Sequence, residues 1–348
     1  MALPKIDNGF LLEFLTGLLN TPSPTGMAEA AISFTEHALE GFTGLQFRRT
    51  RKGALVVTWP GQNDDAPRAL TAHADTLGAM VKEIKPTGRL KLTQIGGYAW
   101  NAVEGEGCTV YAANGQRYRG SILLSLSSSH VHGSKVNETK RDADVMEVRL
   151  DLRTASAEET AQFGIRVGDF VALDPRVEVT NDFIRSRHLD DKACVACLVA
   201  AVKAIQAAGL QPVQKTYRHI SNYEEVGHGA AAGIPAEVAE LVAVDMAAIG
   251  DGQTSDEFHA TLCVKDSGGP YHYGLSQRLR GLAEANGIDY KVDIYPFYGS
   301  DGEAYWRAGG DVAVALIGPG VDASHNYERT HLDALVATTQ WVLAYLLN

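Results

Sequence analysis

Helix-like and strand-like segments alternate at both ends of the sequence, and this alternation restricts the fold more than any other feature. Apolar residues recur at helical spacing in five segments, at residues 8–20, 27–40, 190–207, 271–286 and 333–347. Short apolar runs typical of strands lie between them, at residues 45–49, 54–59, 215–221, 240–245, 290–295 and 312–317. Such alternation favours an α/β fold in which helices flank a mostly parallel central sheet.

The segment from Thr76 to Pro175 has a different pattern. Short strand-like runs separated by Gly, Asn and Asp turns replace the helical periodicity there, at residues 90–94, 109–112, 121–126, 144–150 and 168–173. A strand-rich segment inside an α/β sequence is typical of an inserted domain. We therefore predict a discontinuous α/β domain formed by residues 1–75 and 177–348, with a small β-barrel-like domain inserted at 76–176.

Charge and composition exclude several classes of partner. The 348 residues carry a formal net charge of −11, which disfavours nucleic acid and anionic membranes as partners. No run approaches 18 apolar residues, and the first 20 residues are typical of an amphipathic helix and not of a signal peptide. Four cysteines are too few for a disulfide scaffold, so we predict a cytoplasmic protein. Cys194 and Cys197 are expected to be buried thiols, with metal or redox use as the alternative.

Carboxylates and imidazoles follow several of the apolar runs in the α/β domain. In sequence order they are His73 and Asp75 after residues 69–72, Asp190 and Asp191 at a helix start, Glu224 and Glu225 after 215–221, Asp245 after 241–244, and His325 in a glycine-rich loop after 312–317. Polar groups at the carboxyl ends of parallel strands converge on one edge of the sheet. The sequence therefore predicts one site built from distant segments.

Each of these motifs also has a structural interpretation when it is taken alone. A Glu-Glu pair is common on solvated helix faces, His73 and Asp75 can share a structural hydrogen bond, and Asp190 can cap a helix. Together they supply two imidazoles and three carboxylates without sulfur, a set that suits two divalent ions such as Zn²⁺, Co²⁺ or Mn²⁺. Two metals about 3.5–4 Å apart can hold a bridging hydroxide and a substrate carbonyl, with Glu224 transferring the proton.

These motifs, in this order, resemble those of the glutamyl-aminopeptidase and tetrahedral (TET) aminopeptidase family of dinuclear zinc exopeptidases, which includes cellulase-M-like members. The matching segments are His-Ala-Asp at 73–75, Leu-Asp-Asp at 189–191, Tyr-Glu-Glu-Val-Gly at 223–227, Val-Asp-Met at 244–246 and a late histidine before the last helix. The resemblance covers nearly the whole chain. It implies a metallo-aminopeptidase that hydrolyses the N-terminal residue of short peptides with two metal ions, zinc above all.

The resemblance also implies a role for each residue. His73 and Asp245 would bind one metal, Glu225 and His325 the other, and Asp190 would bridge them. Glu224 would be the general base, Asp75 would orient His73, and the Asp190–Asp191 peptide bond is expected to be cis. Family members commonly form homo-oligomers, often dodecamers, through the inserted domain, which also serves as a lid over the active site.

Some positions depart from the family pattern. Thr76 follows Asp75 where an acid is usual, and His331 is a rival to His325 as the late ligand. Three further residues, Ser300, Asp301 and His228, are predicted to contact the substrate.

Two other functions are compatible with these residues. One is an amidase or deacylase that acts on N-acylated or amidated small peptides, because long segments of the chain resemble a subgroup linked to genes for an N-acetylglutaminylglutamine amide osmoprotectant. The other is a catalytically inactive assembly or binding protein that retains the scaffold. The inactive alternative is disfavoured because every expected metal and base position is filled, and aminopeptidase activity is the leading hypothesis.

Overall fold

The computed structural model describes residues 2–348, which form two compact units. One unit comprises the N-terminal segment up to Asp75 together with Arg176–Asn348, and the other comprises Thr76–Pro175. The helices of both units, in chain order, are α1 Asn8–Leu19, α2 Glu29–Glu40, α3 Ser129–His132, α4 Lys135–Glu138, α5 Ala157–Gln162, α6 Leu189–Ala207, α7 Tyr273–Ala285, α8 Asp301–Arg307 and α9 Leu332–Leu347. None of the helices within residues 2–348 is long and apolar enough to cross a membrane.

The strands belong to three sheets. They are β1 Gln46–Arg49, β2 Leu55–Trp59, β3 Asn63–His73, β4 Gly78–Ile84, β5 Leu90–Ile95, β6 Gly107–Tyr111, β7 Arg117–Leu124, β8 Met146–Leu150, β9 Phe170–Leu173, β10 Glu178–Thr180, β11 Phe183–Ser186, β12 Gln214–Ser221, β13 Glu240–Val244, β14 Ala247–Ala248, β15 Ala260–Asp266, β16 Gly269–Pro270, β17 Tyr290–Ile294, β18 Ala313–Val321 and β19 Glu328–His331.

A ten-stranded sheet forms the centre of the first unit. Eight of its strands follow the order β1-β2-β12-β3-β13-β18-β15-β16, and the other two, β14 and β17, pair with β18 and β15. The four middle strands β12, β3, β13 and β18 are parallel, so their carboxyl ends lie at one edge. Strands β2 and β15 pair antiparallel on either side of these four. The α/β class with a mostly parallel centre is confirmed, although the expectation missed β15, which forms one flank of the sheet.

Helix α6 is the most deeply buried helix of this unit. Its sequence from Leu189 to Ala207 is apolar on almost every side, and all but a few of its side chains are buried. A helix that is apolar all round requires neighbours on every face. It packs against α1, α9 and β3, within the largest apolar core of the molecule. Cys194 and Cys197 lie in this helix as free buried thiols, and burial raises the pKa of Cys197 to about 12.

The second unit is a closed barrel with strand order β4-β5-β8-β7-β6-β9. Alternate residues of each strand point inward and fill the barrel with its own apolar core, which includes Val81, Leu92, Ile122 and Val148. The barrel confirms the expected β-rich fold of this segment. Three short helices, α3 to α5, accompany it, each of six residues or fewer and so too short to show a helical period in the sequence.

Candidate active site

The candidate residues lie just beyond the carboxyl ends of the four parallel strands. His73 ends β3, the Glu224–Glu225 pair follows β12, Asp245 follows β13, and His325 lies in the loop after β18. Asp190 lies in the first turn of α6, where the backbone departs from helical geometry and the Asp190–Asp191 peptide bond is cis. Five segments separated by up to 252 positions, from residue 73 to residue 325, are thus brought to one edge of the sheet.

Asp190 lies between the two histidines and faces one with each carboxylate oxygen. Its Oδ1 is 3.0 Å from His73 Nε2, and its Oδ2 is 3.4 Å from His325 Nε2. The backbone N–H of Asp190 donates to Glu328 Oε2 at 3.1 Å, and the hydroxyl of Ser324 donates to Asp190 Oδ2 at 3.3 Å. These bonds hold the carboxylate in a bridging orientation.

Glu224 and Glu225 lie in a tight turn, not at the end of an extended segment as the sequence suggested. The turn begins at Tyr223, whose φ of +77° lies in the left-handed region, and Gly227 follows with φ of +84°. The two carboxylates nevertheless face different partners. Glu224 Oε2 is 3.6 Å from His73 Nε2, and Glu225 Oε2 is 3.5 Å from His325 Nε2.

Asp75 supports this turn with its carboxylate. The backbone N–H groups of Glu224 and Glu225 donate to Asp75 Oδ1 at 3.3 Å and Oδ2 at 3.4 Å, and the hydroxyl of Thr25 donates to Oδ2 at 2.7 Å. The nearest acceptor for His73 Nδ1 is the backbone carbonyl of Asp75, at 2.9 Å, whereas the carboxylate Oδ1 is 3.7 Å away. In this structure the backbone carbonyl of Asp75 is therefore the hydrogen-bond partner of His73, and an orienting role for the Asp75 carboxylate stays a prediction.

Two groups of these residues have ligand atoms close enough to hold a metal ion. One group is His73, Asp190 and Asp245, and the other is Asp190, Glu225 and His325; within each, the ligand atoms lie within 4.8 Å of one another. Asp190 belongs to both groups. Across residues 2–348, neither group includes His331, nor His130 and His132 of the barrel. His331 instead caps α9 by accepting the backbone N–H of Asp333 and packs its ring against Phe183.

The cluster carries more buried negative charge than its two imidazoles can balance. Burial, together with the charge of Asp190, raises the pKa of Glu225 to about 8 and that of Asp245 to about 7. Burial also raises the pKa of Glu224 well above its ordinary value. Burial opposes the charged form of His73, yet the Glu224 carboxylate and the hydrogen bond to Asp190 raise its pKa. Crowded carboxyls of this kind fit a site for divalent cations, which would keep them ionised.

A cavity of about 430 Å³ opens beside this cluster. Five of its lining residues belong to the cluster, namely Asp190, Glu224, Glu225, Asp245 and His325. Other lining residues, among them Met246, Tyr298, Glu303 and Arg307, were not predicted from the sequence to line the site. The hydroxyl of Tyr298 donates to the Met246 carbonyl at 2.9 Å and lies beside Asp245. Its place in an aromatic cluster near Ser300 was the only sequence signal for it.

The three residues expected to contact substrate lie in different surroundings. Ser300 lines the cavity. Asp301 does not line it: the carboxylate is buried and accepts hydrogen bonds from Thr71, Ser221 and the backbone N–H of Ala230. His228 is exposed outside the cavity, stacked on Tyr223 with ring centroids 5.3 Å apart. Asp301 is the first residue of α8, and its carboxylate faces the central sheet. It therefore supports the ends of β3 and β12 and does not line the cavity.

Comparison with known proteins identifies the family. The model of the M42 glutamyl aminopeptidase family matches residues 53–340. The chain belongs to the M42 family. This M42 chain is accordingly a peptide hydrolase of the aminopeptidase type, as the sequence resemblance implied.

Individual relatives agree with this assignment. The chain is 47% identical over 336 residues to YhfE of Bacillus subtilis, a protein provisionally named an aminopeptidase, and the match covers 96% of each sequence. A TET aminopeptidase from a Thaumarchaeota archaeon of marine sediment superposes with a TM-score of 0.87 over 97% of this chain and 96% of its own, at 18% identity. The TET1 peptidase of Pyrococcus horikoshii, described as assembling into a tetrahedron or a large octahedral shell, gives 0.84 over 97% and 99%, at 20% identity. These two structures share the fold of this M42 chain.

Proposed function

We propose that this M42 chain is a dinuclear metal-dependent aminopeptidase that removes the N-terminal residue of short peptides. His73 and Asp245 would hold one divalent ion and Glu225 and His325 the other, with Asp190 shared between them. The observation that carries the proposal is the position of Asp190, whose two oxygens lie 3.0 Å and 3.4 Å from two different histidines. A carboxylate in that position can serve two ions at once.

The donor chemistry supports zinc over a hard ion such as magnesium. Each group contains one imidazole and two carboxylates and no thiolate, which suits Zn²⁺, with Co²⁺ or Mn²⁺ as alternatives. When bound, such ions would polarise the scissile carbonyl and raise the acidity of a water molecule. They would also neutralise carboxylates that are otherwise buried against one another.

Glu224 is the residue we assign as general base and acid. Its side chain lines the cavity and is only 14% exposed, so a carboxylate there can exchange protons with a bound reactant while bulk water is limited. In the proposed reaction Glu224 accepts a proton from the attacking water and delivers it to the leaving amine. Asp75 keeps Glu224 in place through the backbone N–H groups of the turn.

Metal analysis with activity measurement tests this proposal. The purified protein is expected to contain two divalent ions per chain, to lose hydrolysis of aminoacyl-p-nitroanilides on chelation, and to regain it when Zn²⁺, Co²⁺ or Mn²⁺ is added back. An Asp190→Asn variant should bind fewer than two ions, because it loses the shared charge. Full activity in a metal-free preparation would contradict the proposal.

The amidase or deacylase alternative can be distinguished from the aminopeptidase by the substrates that the enzyme hydrolyses. An aminopeptidase requires a free N-terminal amine, whereas the alternative enzyme would hydrolyse N-acetylated dipeptide amides, the chemistry of the osmoprotectant. Turnover of blocked substrates alone, with the same metal dependence, would replace the leading function with the alternative.

We further propose that the chain forms a homo-oligomer in the cytoplasm, with the barrel unit at Thr76–Pro175 as the oligomerisation and lid domain. The support is the assembly described for the TET1 peptidase of Pyrococcus horikoshii, whose fold the chain shares. Light scattering coupled to size-exclusion chromatography measures the particle mass, for which a dodecamer is the expected result. A monomer across the micromolar range would contradict this part of the proposal.

A further inference from the structure

One part of the cavity lining consists of residues that belong to neither candidate metal group. This wall, which we call the distal wall, consists of Met246, Tyr298, Ser300, Glu303 and Arg307. Met246 and Tyr298 give it an apolar portion, and Glu303 is a buried carboxylate, 5% exposed. Charged residues are rarely buried without a partner or a purpose. We therefore expect Glu303 to have a specific role in the distal wall.

The backbone and a second acid hold Glu303 in place. Glu303 lies in the first turn of α8 and packs so closely on Gly268 that a Cβ at that glycine would come within 1.7 Å of Glu303 Oε1. Behind it, the buried carboxylate of Asp266 accepts the hydroxyl of Tyr271 at 2.5 Å and the N–H of Gly268 at 2.9 Å. Burial, followed by the contact with Asp266, raises the pKa of Glu303 to about 7. Two carboxyls are therefore crowded at this wall.

The positive charge beside Glu303 is much more exposed than the carboxylate. Arg307 Nη2 donates to Glu303 Oε2 at 2.7 Å, yet the Arg307 side chain is 65% exposed whereas that of Glu303 is 7% exposed. Solvent screens an exposed charge far more effectively than a buried one. A carboxylate has about four acceptor positions, so the contact with Arg307 leaves Glu303 able to accept further hydrogen bonds.

We propose that the distal wall receives the side chain of the residue that is removed, and that Glu303 makes this pocket select N-terminal lysine or arginine. The methylene stem of such a residue would pack on Met246 and Tyr298, and its cationic end would contact Glu303. This inference rests on the proposed aminopeptidase function. Selection of an acidic residue by Arg307 is the opposite outcome, and it is disfavoured because the Arg307 side chain is 65% exposed and its charge is screened by solvent, whereas the Glu303 side chain is buried.

The test compares kcat/KM for the p-nitroanilides of lysine, leucine and glutamate with the metal-loaded protein. We expect the wild-type enzyme to prefer lysine over glutamate. Glu303→Gln preserves shape and removes the charge, and it should lower the lysine-to-leucine ratio by about tenfold or more, equivalent to about 1.4 kcal/mol. Glu13→Gln, an equal charge change at an exposed position of α1, is the matched control and should leave the ratio unchanged.

The outcomes separate failure of this inference from failure of the proposed function. If no free aminoacyl substrate is hydrolysed by the metal-loaded protein, the proposed function fails. If leucine is released but Glu303→Gln leaves the lysine-to-leucine ratio within twofold of wild type, or if wild type prefers glutamate, only the selectivity inference fails. If Glu303→Gln does not fold, Arg307→Gln is used in its place. This variant should raise the ratio of kcat/KM for lysine to that for leucine at least twofold. A smaller rise, no change or a fall would overturn the inference.

Discussion

The metal-free protein is expected to lose stability as the pH rises from 5 to 8. Burial and the neighbouring Asp190 charge raise the pKa of Glu225 from 4.5 to about 8 and that of Asp245 from 3.8 to about 7. In the unfolded chain both groups are already ionised near pH 5, so over this range the folded protein binds more protons than the unfolded chain. Stability must then fall with rising pH. His73 acts in the same direction, because its raised pKa favours the folded state only while the ring is protonated.

The size of the effect follows from the same values. One pKa unit corresponds to about 1.4 kcal/mol, so Glu225 contributes a loss of roughly 4 kcal/mol between pH 5 and 8 and Asp245 a loss of roughly 3 kcal/mol between pH 5 and 7. We therefore expect a total loss of about 4–7 kcal/mol, which is a large part of the stability of an ordinary domain. Two bound divalent ions would remove most of this loss, because they compete with protons for the same oxygens.

Urea unfolding followed by circular dichroism, at pH 5.0, 6.5 and 8.0 with a chelator present, measures this loss. The same series with Zn²⁺ added should show a much weaker pH dependence. Glu225→Gln has no ionisable group at this position, so its metal-free stability should change by only about half as much. If the free energy of unfolding of the chelated wild-type protein is constant or increases from pH 5 to 8, the reasoning from crowded carboxyls is wrong.

Two further predictions concern individual roles. Glu224→Gln should retain two metal ions but lose about 10²–10⁴-fold in kcat, the range for a general base, in assays with a leucine p-nitroanilide; retained turnover would assign the base elsewhere. His325→Ala should lose metal from the group it shares with Asp190 and Glu225, whereas His331→Ala should keep both ions and lose only about 1 kcal/mol of stability, as expected for a helix cap. Metal loss in His331→Ala alone, by mass spectrometry of the metal content, would reverse that assignment.

The α/β architecture could be predicted because helical and strand periodicities are local properties of the sequence. The positions of His73 and Asp245 at strand ends follow from the same periodicities. The turn at Glu224–Glu225 could not be predicted, because it depends on the left-handed backbone of Tyr223 and on acceptors from Asp75, which lies 150 residues away from Glu225. Long-range hydrogen bonds of this kind leave no local pattern.

The choice between His325 and His331 shows the same limit. Both histidines lie a few residues before the last helix, so their positions in the sequence do not distinguish them. The structure places His331 in β19, which pairs with β11, and at the N-terminal cap of α9. Asp301 was predicted to contact the substrate, yet in the first turn of α8 its carboxylate accepts hydrogen bonds from side chains of β3 and β12. The position of Glu303 in the cavity lining could not be predicted from the sequence, because a single acidic residue in a short helix is ordinarily solvated.

The spread of the cluster along the chain has a consequence for how the protein matures. The first imidazole is at position 73 and the last at 325, and the carboxylates between them come from three segments, at Asp190, at Glu224–Glu225 and at Asp245. A nascent or truncated polypeptide that lacks β18 and its following loop has no complete pair of cation sites, however well its earlier segments have folded. Binding of two ions, as proposed, would thus require synthesis of the chain at least through the loop that contains His325.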